Sequence, residues 1–253
     1  MLSKSKIKFI KSLEKKKYRS ESGCFPAEGN KLVADILPFF ECELLITTPQ
    51  WLATQGDIKA REVLVVEKEE IRKASLLKNP QDVIAVFRRS DCVLQKEELT
   101  TGLTLVLDGI QDPGNLGAII RIADWFGIKN VICSPDTVDI YNPKTIQATM
   151  GSLARVKIVY LPLTELLTGL SGTPVYGTFL EGTNIYEAEL SSTGLIVMGN
   201  EGNGISPALE TRIVDRLYVP NYPPDAESTN SLNVAVTAAI VCAEFRRRQI
   251  KSI

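Results

Sequence analysis

From residue 102 onward, short continuous apolar runs alternate with stretches of helical character. The runs are "LTLVLDGI", "NVICSP", "KIVYL", "PVYGTFL", "LIVMGNEG" and "RLYVP". The intervening sequence predicts helices over 116–127, 143–154, 163–169, 206–213 and 231–250. Strands that are apolar at every position are buried on both faces. This half therefore predicts an α/β fold, a parallel sheet with helices on both sides. Such sheets bind ligands beyond the carboxyl ends of their strands, so the loops that follow strands carry the chemistry.

Residues 1–95 have a different rhythm. A lysine-rich helical segment leads to "GCFPAEGNKLVADIL", read as a turn followed by an amphipathic helix. Strands are predicted at "ECELLITT", "EVLVVE" and "DVIAVFR", with "KEEIRKASLL" as a helix between the last two. This is a small mixed α/β unit. The polar stretch "RRSDCVLQKEELTTG" reads as a linker, and a boundary near residue 97 divides the chain into domains 1–96 and 97–253.

Composition narrows the chemistry. With 44% hydrophobic and 23% charged residues over 253 positions, the chain has the make-up of a soluble globular protein. No apolar run reaches the roughly 18 to 20 residues that span a bilayer. The opening "MLSKSKIKFIKSLEKKKYRS" lacks the apolar core of a signal peptide, which predicts a cytoplasmic protein. The cysteines (24, 42, 92, 133 and 242) never form a CxxC pair, so they read as reduced small hydrophobes, not as a disulfide framework or a zinc site. Histidine is absent altogether. That excludes a Ser-His-Asp triad, a Cys-His pair and any histidine metal ligand. Proton transfer must use Asp, Glu, Lys, Tyr or Arg, or a group on the substrate.

Charge is unevenly placed. The net charge is −1, yet residues 1–20 carry eight Lys/Arg and one Glu. Lys4, Lys8, Lys11 and Lys15 fall at helical spacing, with Ile7, Ile10 and Leu13 on other faces. Such a stripe is either a solvated helix face or a phosphate-contacting surface that releases counterions on meeting a polyanion.

Three junctions in the larger domain stand out. "DPGNLGAIIRIADWFG" opens with a strong turn, and Asn115 is placed to cap the helix. Arg121 shares a helix face with the small Gly117 and Ala118 and with Asp124 and Trp125. It is either an open guanidinium suited to phosphate or one half of an ion pair with Asp124. "LIVMGNEGNGIS" sets Gly199, Asn200, Glu201, Gly202 and Gly204 directly after a buried strand. It lacks the Lys-Ser/Thr of a Walker loop and the third glycine of a dinucleotide fingerprint. "NSLNVAVTAAIVCAEFRRRQ" reads as a long helix capped by Ser231 or Asn230, with Asn233 in its first turn.

Together and in this order, these segments resemble the SpoU (TrmH-type) family of RNA 2′-O-ribose methyltransferases, within the SPOUT superfamily. The family's three motifs are matched by "DPGNLGAIIRIADWFG", "VMGNEGNGIS" and "VPNYPPDAESTNSLNVAVTAAI", covering residues 102 to about 249. The N-terminal unit resembles the ribosomal-protein-like substrate-binding domain that many members carry. The resemblance implies a C-terminal trefoil knot and a homodimer whose active site is built partly from both chains. It implies S-adenosylmethionine held by Thr178, Phe179, Leu180, Gly199, Asn200, Gly202, Val219 and Leu232. It carries catalytic roles to Asn115, Arg121, Glu201 and Asn233, with no metal. A guanidinium keeps its proton in proteins. Arg121 is therefore read as orienter and stabiliser of the developing alkoxide, with Glu201 and Asn233 positioning arginine, cofactor or ribose. RNA contacts are expected from Lys8, Lys15, Lys16, Lys17 and Arg19, with ribosomal RNA favoured over transfer RNA.

The third motif departs from the usual pattern. Its "NYPPDAESTN" is longer than the glycine-containing turn common in the family, and Asp225 and Glu227 add negative charge where RNA should lie. Two other readings compete: an RNA-binding assembly factor without catalysis, and a dinucleotide-dependent oxidoreductase. Cofactor binding separates all three.

Overall fold

The computed structural model describes residues 1–90, 92–170, 172–223 and 231–250. The chain packs as two compact units, Met1–Asp91 with Asp139–Ala154, and Cys92–Val138 with Arg155–Ile253.

In the first unit, α1 (Lys4–Ser12) starts at Ser3, whose hydroxyl accepts from the Lys6 N–H at 3.3 Å. A single basic helix is not formed. Leu13, buried with Ile10, turns the chain, and Lys15 becomes the N-cap of a second helix, α2 (Lys16–Ser22). Lys15 thus leaves the stripe that Lys4, Lys8 and Lys11 retain. Gly23 ends α2 in the left-handed region, at φ 66°. The segment read as a turn is instead a strand, β1 (Cys24–Glu28), buried at every residue. Pro26 sits there without breaking a ladder because β1 is an edge strand.

The unit continues through α3 (Asn30–Ile36), β2 (Cys42–Thr47), α4 (Pro49–Ala53), β3 (Val63–Val65), α5 (Lys68–Ala74) and β4 (Val83–Arg88). The sheet order is β1-β4-β2-β3, with β3 parallel to β2 and the other pairs antiparallel. Ile10, Leu13, Ile46, Ile71, Ile84 and Val86 form one continuous apolar cluster. The three predicted strands and the "KEEIRKASLL" helix all occur.

All six apolar runs of the second half are strands. The chain passes through β5 (Leu103–Leu107), α6 (Pro113–Trp125) and β6 (Asn130–Cys133), then gives α7 (Pro143–Thr149) to the first unit. It resumes with β7 (Lys157–Tyr160), α8 (Leu163–Thr168), β8 (Val175–Asn184), β9 (Gly194–Met198), α9 (Pro207–Glu210), β10 (Asp215–Tyr218) and α10 (Val234–Arg247). The sheet is parallel throughout, in the order β10-β8-β9-β5-β6-β7. Strand order reverses between β5 and β9, so their carboxyl ends lie side by side at a switch point. The first two motifs follow those two strand ends.

Candidate active site

The loops after β5 and β9 are tied to each other by the chain itself. Asp108 donates its N–H to the Met198 carbonyl at 2.9 Å, and its carboxylate accepts from the Ser206 N–H at 2.7 Å. Asn200 donates Nδ2 to the Gly109 carbonyl at 2.6 Å, and its Oδ1 accepts from the N–H groups of Gly202 and Asn203 at 2.9 and 3.0 Å. Asn200 and Gly204 exchange two backbone hydrogen bonds, both 2.9 Å. Gly199 lies so close to the Gly204 backbone that a Cβ has no room. The glycines therefore close a tight loop, and Glu201 is left exposed at its tip. The Asn200 side chain is thus spent on these two loops, crossing from its own to the one after β5.

Helix α6 begins three residues earlier than the pattern predicts. Asp112 is the N-cap, accepting from the Asn115 N–H at 2.8 Å, and Pro113 follows at the first helical position. Asn115 is not the cap, so its amide is free to reach across. Its Nδ2 donates to Glu201 Oε1 at 2.8 Å, and its Oδ1 accepts from Asn233 Nδ2 at 2.9 Å. Asn233, not Ser231, caps α10, its Oδ1 accepting from the N–H groups of Ala235 and Val236. Asn230, the other expected cap, lies outside the described residues, as do Asp225 and Glu227.

These contacts fix every amide orientation. An ionised carboxylate only accepts, so Asn115 must turn its NH₂ toward Glu201 and its oxygen toward Asn233. Asn233 must then offer NH₂ to Asn115 and oxygen to the helix. A polarised relay thus runs from the positive end of α10 to the Glu201 carboxylate. Three of the four expected catalytic side chains meet in one hydrogen-bonded chain.

The fourth, Arg121, does not join it. It lies six residues beyond Asn115, roughly 120° around the helix, and is exposed. Among the described residues nothing hydrogen-bonds or ion-pairs with its guanidinium. Asp124 does not hold it, being gripped by Arg155 at 2.6 Å. One turn on, Trp125 is 84% exposed. Of the other expected cofactor contacts, Leu180 and Leu232 are exposed apolar side chains, and Thr178, Phe179 and Val219 are half-buried. Exposed apolar side chains together with a glycine loop too tight for a Cβ suit a nucleoside carrying a sulfonium side arm, so the residues present fit S-adenosylmethionine.

Cysteine chemistry has no foothold in the core. Cys24, Cys42, Cys133 and Cys242 are buried, and burial pushes the thiols of Cys42 and Cys242 up to about 12. Neither offers a thiolate at neutral pH.

On the first unit, Lys8, Lys15, Lys16 and Lys17 are exposed. Arg19 is not. It is 1% exposed, its Nε and Nη2 donating to Asp139 Oδ2 at 3.1 and 2.7 Å and its Nη1 to the carbonyls of Leu13 and Glu14. Every face of its guanidinium is committed, which removes it from the cations open to a polyanion. A cleft of about 610 Å³ in the same unit is lined by Lys6, Phe9, Arg61 and Arg88 among others, a cluster the sequence did not flag. Its cations are paired with Glu41, Glu43 and Glu62.

The switch-point loops, the asparagine–glutamate relay and the likeness to known proteins define an enzyme class, the S-adenosylmethionine-dependent 2′-O-ribose methyltransferases of RNA. The chain belongs to the SpoU rRNA Methylase family, whose model matches residues 102–243. Residues 4–85 match the MRM3-like substrate binding domain. The chain is 32% identical to the 23S rRNA (guanosine(2553)-2′-O)-methyltransferase RlmP of Bacillus subtilis (strain 168), over 95% of this chain and 96% of that protein. A solved TrmH-family structure from Porphyromonas gingivalis superposes with a TM-score of 0.87 at 41% identity, covering 98% of this chain and 99% of that one. The AdoMet-bound rRNA methyltransferase from Sinorhizobium meliloti superposes at 0.84 with 29% identity, covering 99% and 97%. No helix among the described residues is long and apolar enough to cross a membrane.

Proposed function

We propose that this protein methylates one ribose 2′-hydroxyl of ribosomal RNA in the cytoplasm, as a homodimer with a C-terminal trefoil knot. The observation that carries the reading is the relay Glu201–Asn115–Asn233, which joins three segments far apart in sequence at the end of a parallel sheet.

S-adenosylmethionine supplies an electrophilic methyl group on a sulfonium. The segments around Thr178 to Leu180, the 199–202 loop, Val219 and Leu232 hold the cofactor. The relay keeps Glu201 and the amides of Asn115 and Asn233 in one orientation beside the ribose. Arg121 orients the target nucleotide and stabilises the oxyanion that develops on the 2′-oxygen. A phosphate oxygen of the RNA takes the hydroxyl proton. Because Arg121 projects away from the relay of its own chain, it serves the site of the second copy. Lys8, Lys15, Lys16 and Lys17 contact RNA phosphates on the first unit.

The direct test is transfer of tritium from labelled S-adenosylmethionine to ribosomal and transfer RNA from a strain lacking the gene. Label at one alkali-resistant linkage of ribosomal RNA, lost with Arg121→Ala, is the expected result. Label in transfer RNA alone would overturn the substrate. Absence of cofactor binding would overturn the enzyme reading and leave an assembly factor.

A further inference from the structure

Strand β8 is interrupted where the cofactor reading needs it to open. Tyr176 and Gly177 pair with Asp215 and Arg216 of β10, and the next β10 residues, Leu217 and Tyr218, pair with Thr183 and Asn184. Residues 178–182 therefore leave the ladder as an excursion between consecutive positions of the partner strand. A bulge of this size needs fastening, because its backbone groups lose their sheet partners.

Arg216 is the fastening. Its guanidinium carbon stands 3.7 Å from the centre of the Phe179 ring, a close cation–π stack. Its Nη1 donates to Glu210 Oε1 at 2.6 Å, and Glu210 is the last residue of α9, the helix that follows the glycine loop. Two glycines make the clasp possible. A Cβ on Gly177 would lie 2.6 Å from the Phe179 ring, and a Cβ on Gly182 (φ 144°) would collide with the Arg216 carbonyl. The ring thus folds back over Gly177, and the far end of the excursion lies directly on the Arg216 backbone.

We infer that Arg216 is a positioning residue for the cofactor, locking Phe179 and residues 178–182 in their binding shape and coupling them through Glu210 to the glycine loop. The inference rests on the reading that this excursion holds S-adenosylmethionine. Arg216 touches no reacting atom, so it governs cofactor affinity and leaves the chemical step alone.

Calorimetric titration of the full-length protein with S-adenosylmethionine, joined to methyl-transfer kinetics, tests it. Arg216→Ala should weaken cofactor binding and raise its KM by about three- to tenfold, the scale of a partly exposed cation–π contact. Its kcat at saturating cofactor should stay within about twofold of wild type. Arg216→Gln keeps a planar head group without the charge, and should show the same split should the alanine variant fold poorly. Glu210→Gln should have a smaller effect of the same kind. Wild-type binding matched by both Arg216 variants would overturn this inference alone. A fall in kcat with unchanged affinity would overturn it in favour of a role in chemistry. No binding by the wild type would instead overturn the cofactor reading beneath it.

Discussion

Asn115 shows how much one amide settles. It donates to Glu201 and accepts from Asn233, and neither neighbour tolerates the reverse. Asn115→Asp replaces the NH₂ with a second acceptor against the Glu201 carboxylate, so one of the two must protonate or swing away. We expect kcat to fall by about 100-fold, the scale seen when one fixed polar group of a transition-state site is lost. Helix α6 keeps its Asp112 cap, so the melting temperature should move little. Methyl transfer at saturating cofactor, with melting curves in parallel, measures both. Activity within threefold of wild type would remove the relay from catalysis. The loop around Glu201 was legible because glycine, asparagine and glutamate crowd the end of β9 where packing asks for none of them, whereas Asn115 and Asn233 took their catalytic reading from the family resemblance. The caps were not legible. "DPGN" and "NSLN" each offer more than one capping side chain, and the choice depends on where Pro113 starts a helix and on whether Asn115 and Asn233 come within reach of each other.

Among the elements, period and burial explain which ones the sequence revealed. The central strands of the second unit, β5 (LTLVL) and β9 (GLIVM), are buried at every residue and so read as continuous apolar runs, whereas the edge strand β10 (DRLY) shows only a short one. Strand β1 escaped because "CFPAE" holds a proline and a glutamate, residues that argue for a turn until the edge position and the Glu28 contacts are known. Glu28 is buried with its carboxylate accepting from Ser75 Oγ and from the Leu76 N–H. Helix α2 escaped for a related reason. Arg19 looks like one more cation of a basic run, whereas its partner, Asp139, lies 120 residues away and no local pattern announces it. Their side chains are 1% and 9% exposed, so each depends on the other for solvation. Arg19→Met should cost about 3–5 kcal/mol, the usual result of leaving one buried charge unpaired. Urea denaturation measures it, and Lys16→Ala, on the exposed face of α2, serves as a control with almost no loss. A cost below about 1 kcal/mol would show that Asp139 finds water or another partner. A loss of RNA affinity by Arg19→Met at unchanged stability would return Arg19 to the RNA-contacting set.

For the whole molecule, the decisive feature is the separation of Arg121 from the relay with which the proposed mechanism pairs it. Within one chain the two point to different sides of α6, and Trp125, one turn beyond Arg121, presents a large apolar surface to solvent. In the proposed homodimer a second copy would answer both, covering the tryptophan and exchanging arginines, so that each site takes its relay from one chain and its guanidinium from the other. Isologous pairing makes that exchange reciprocal. Two variants that are inactive alone, Arg121→Ala and Glu201→Ala, then complement each other when mixed. In a mixed dimer one site loses both groups and the other keeps both, its relay from the first variant and its arginine from the second. Half the dimers in an equal, freely exchanging mixture are mixed, so activity should return to about a quarter of the wild-type value. Unfolding and refolding the variants together ensures exchange, and sedimentation reports the dimer. Dimers without any recovered methyl transfer would place Arg121 at its own chain's site, reached by a movement of α6. A monomer as active as the family's chemistry requires would mean that one copy is enough.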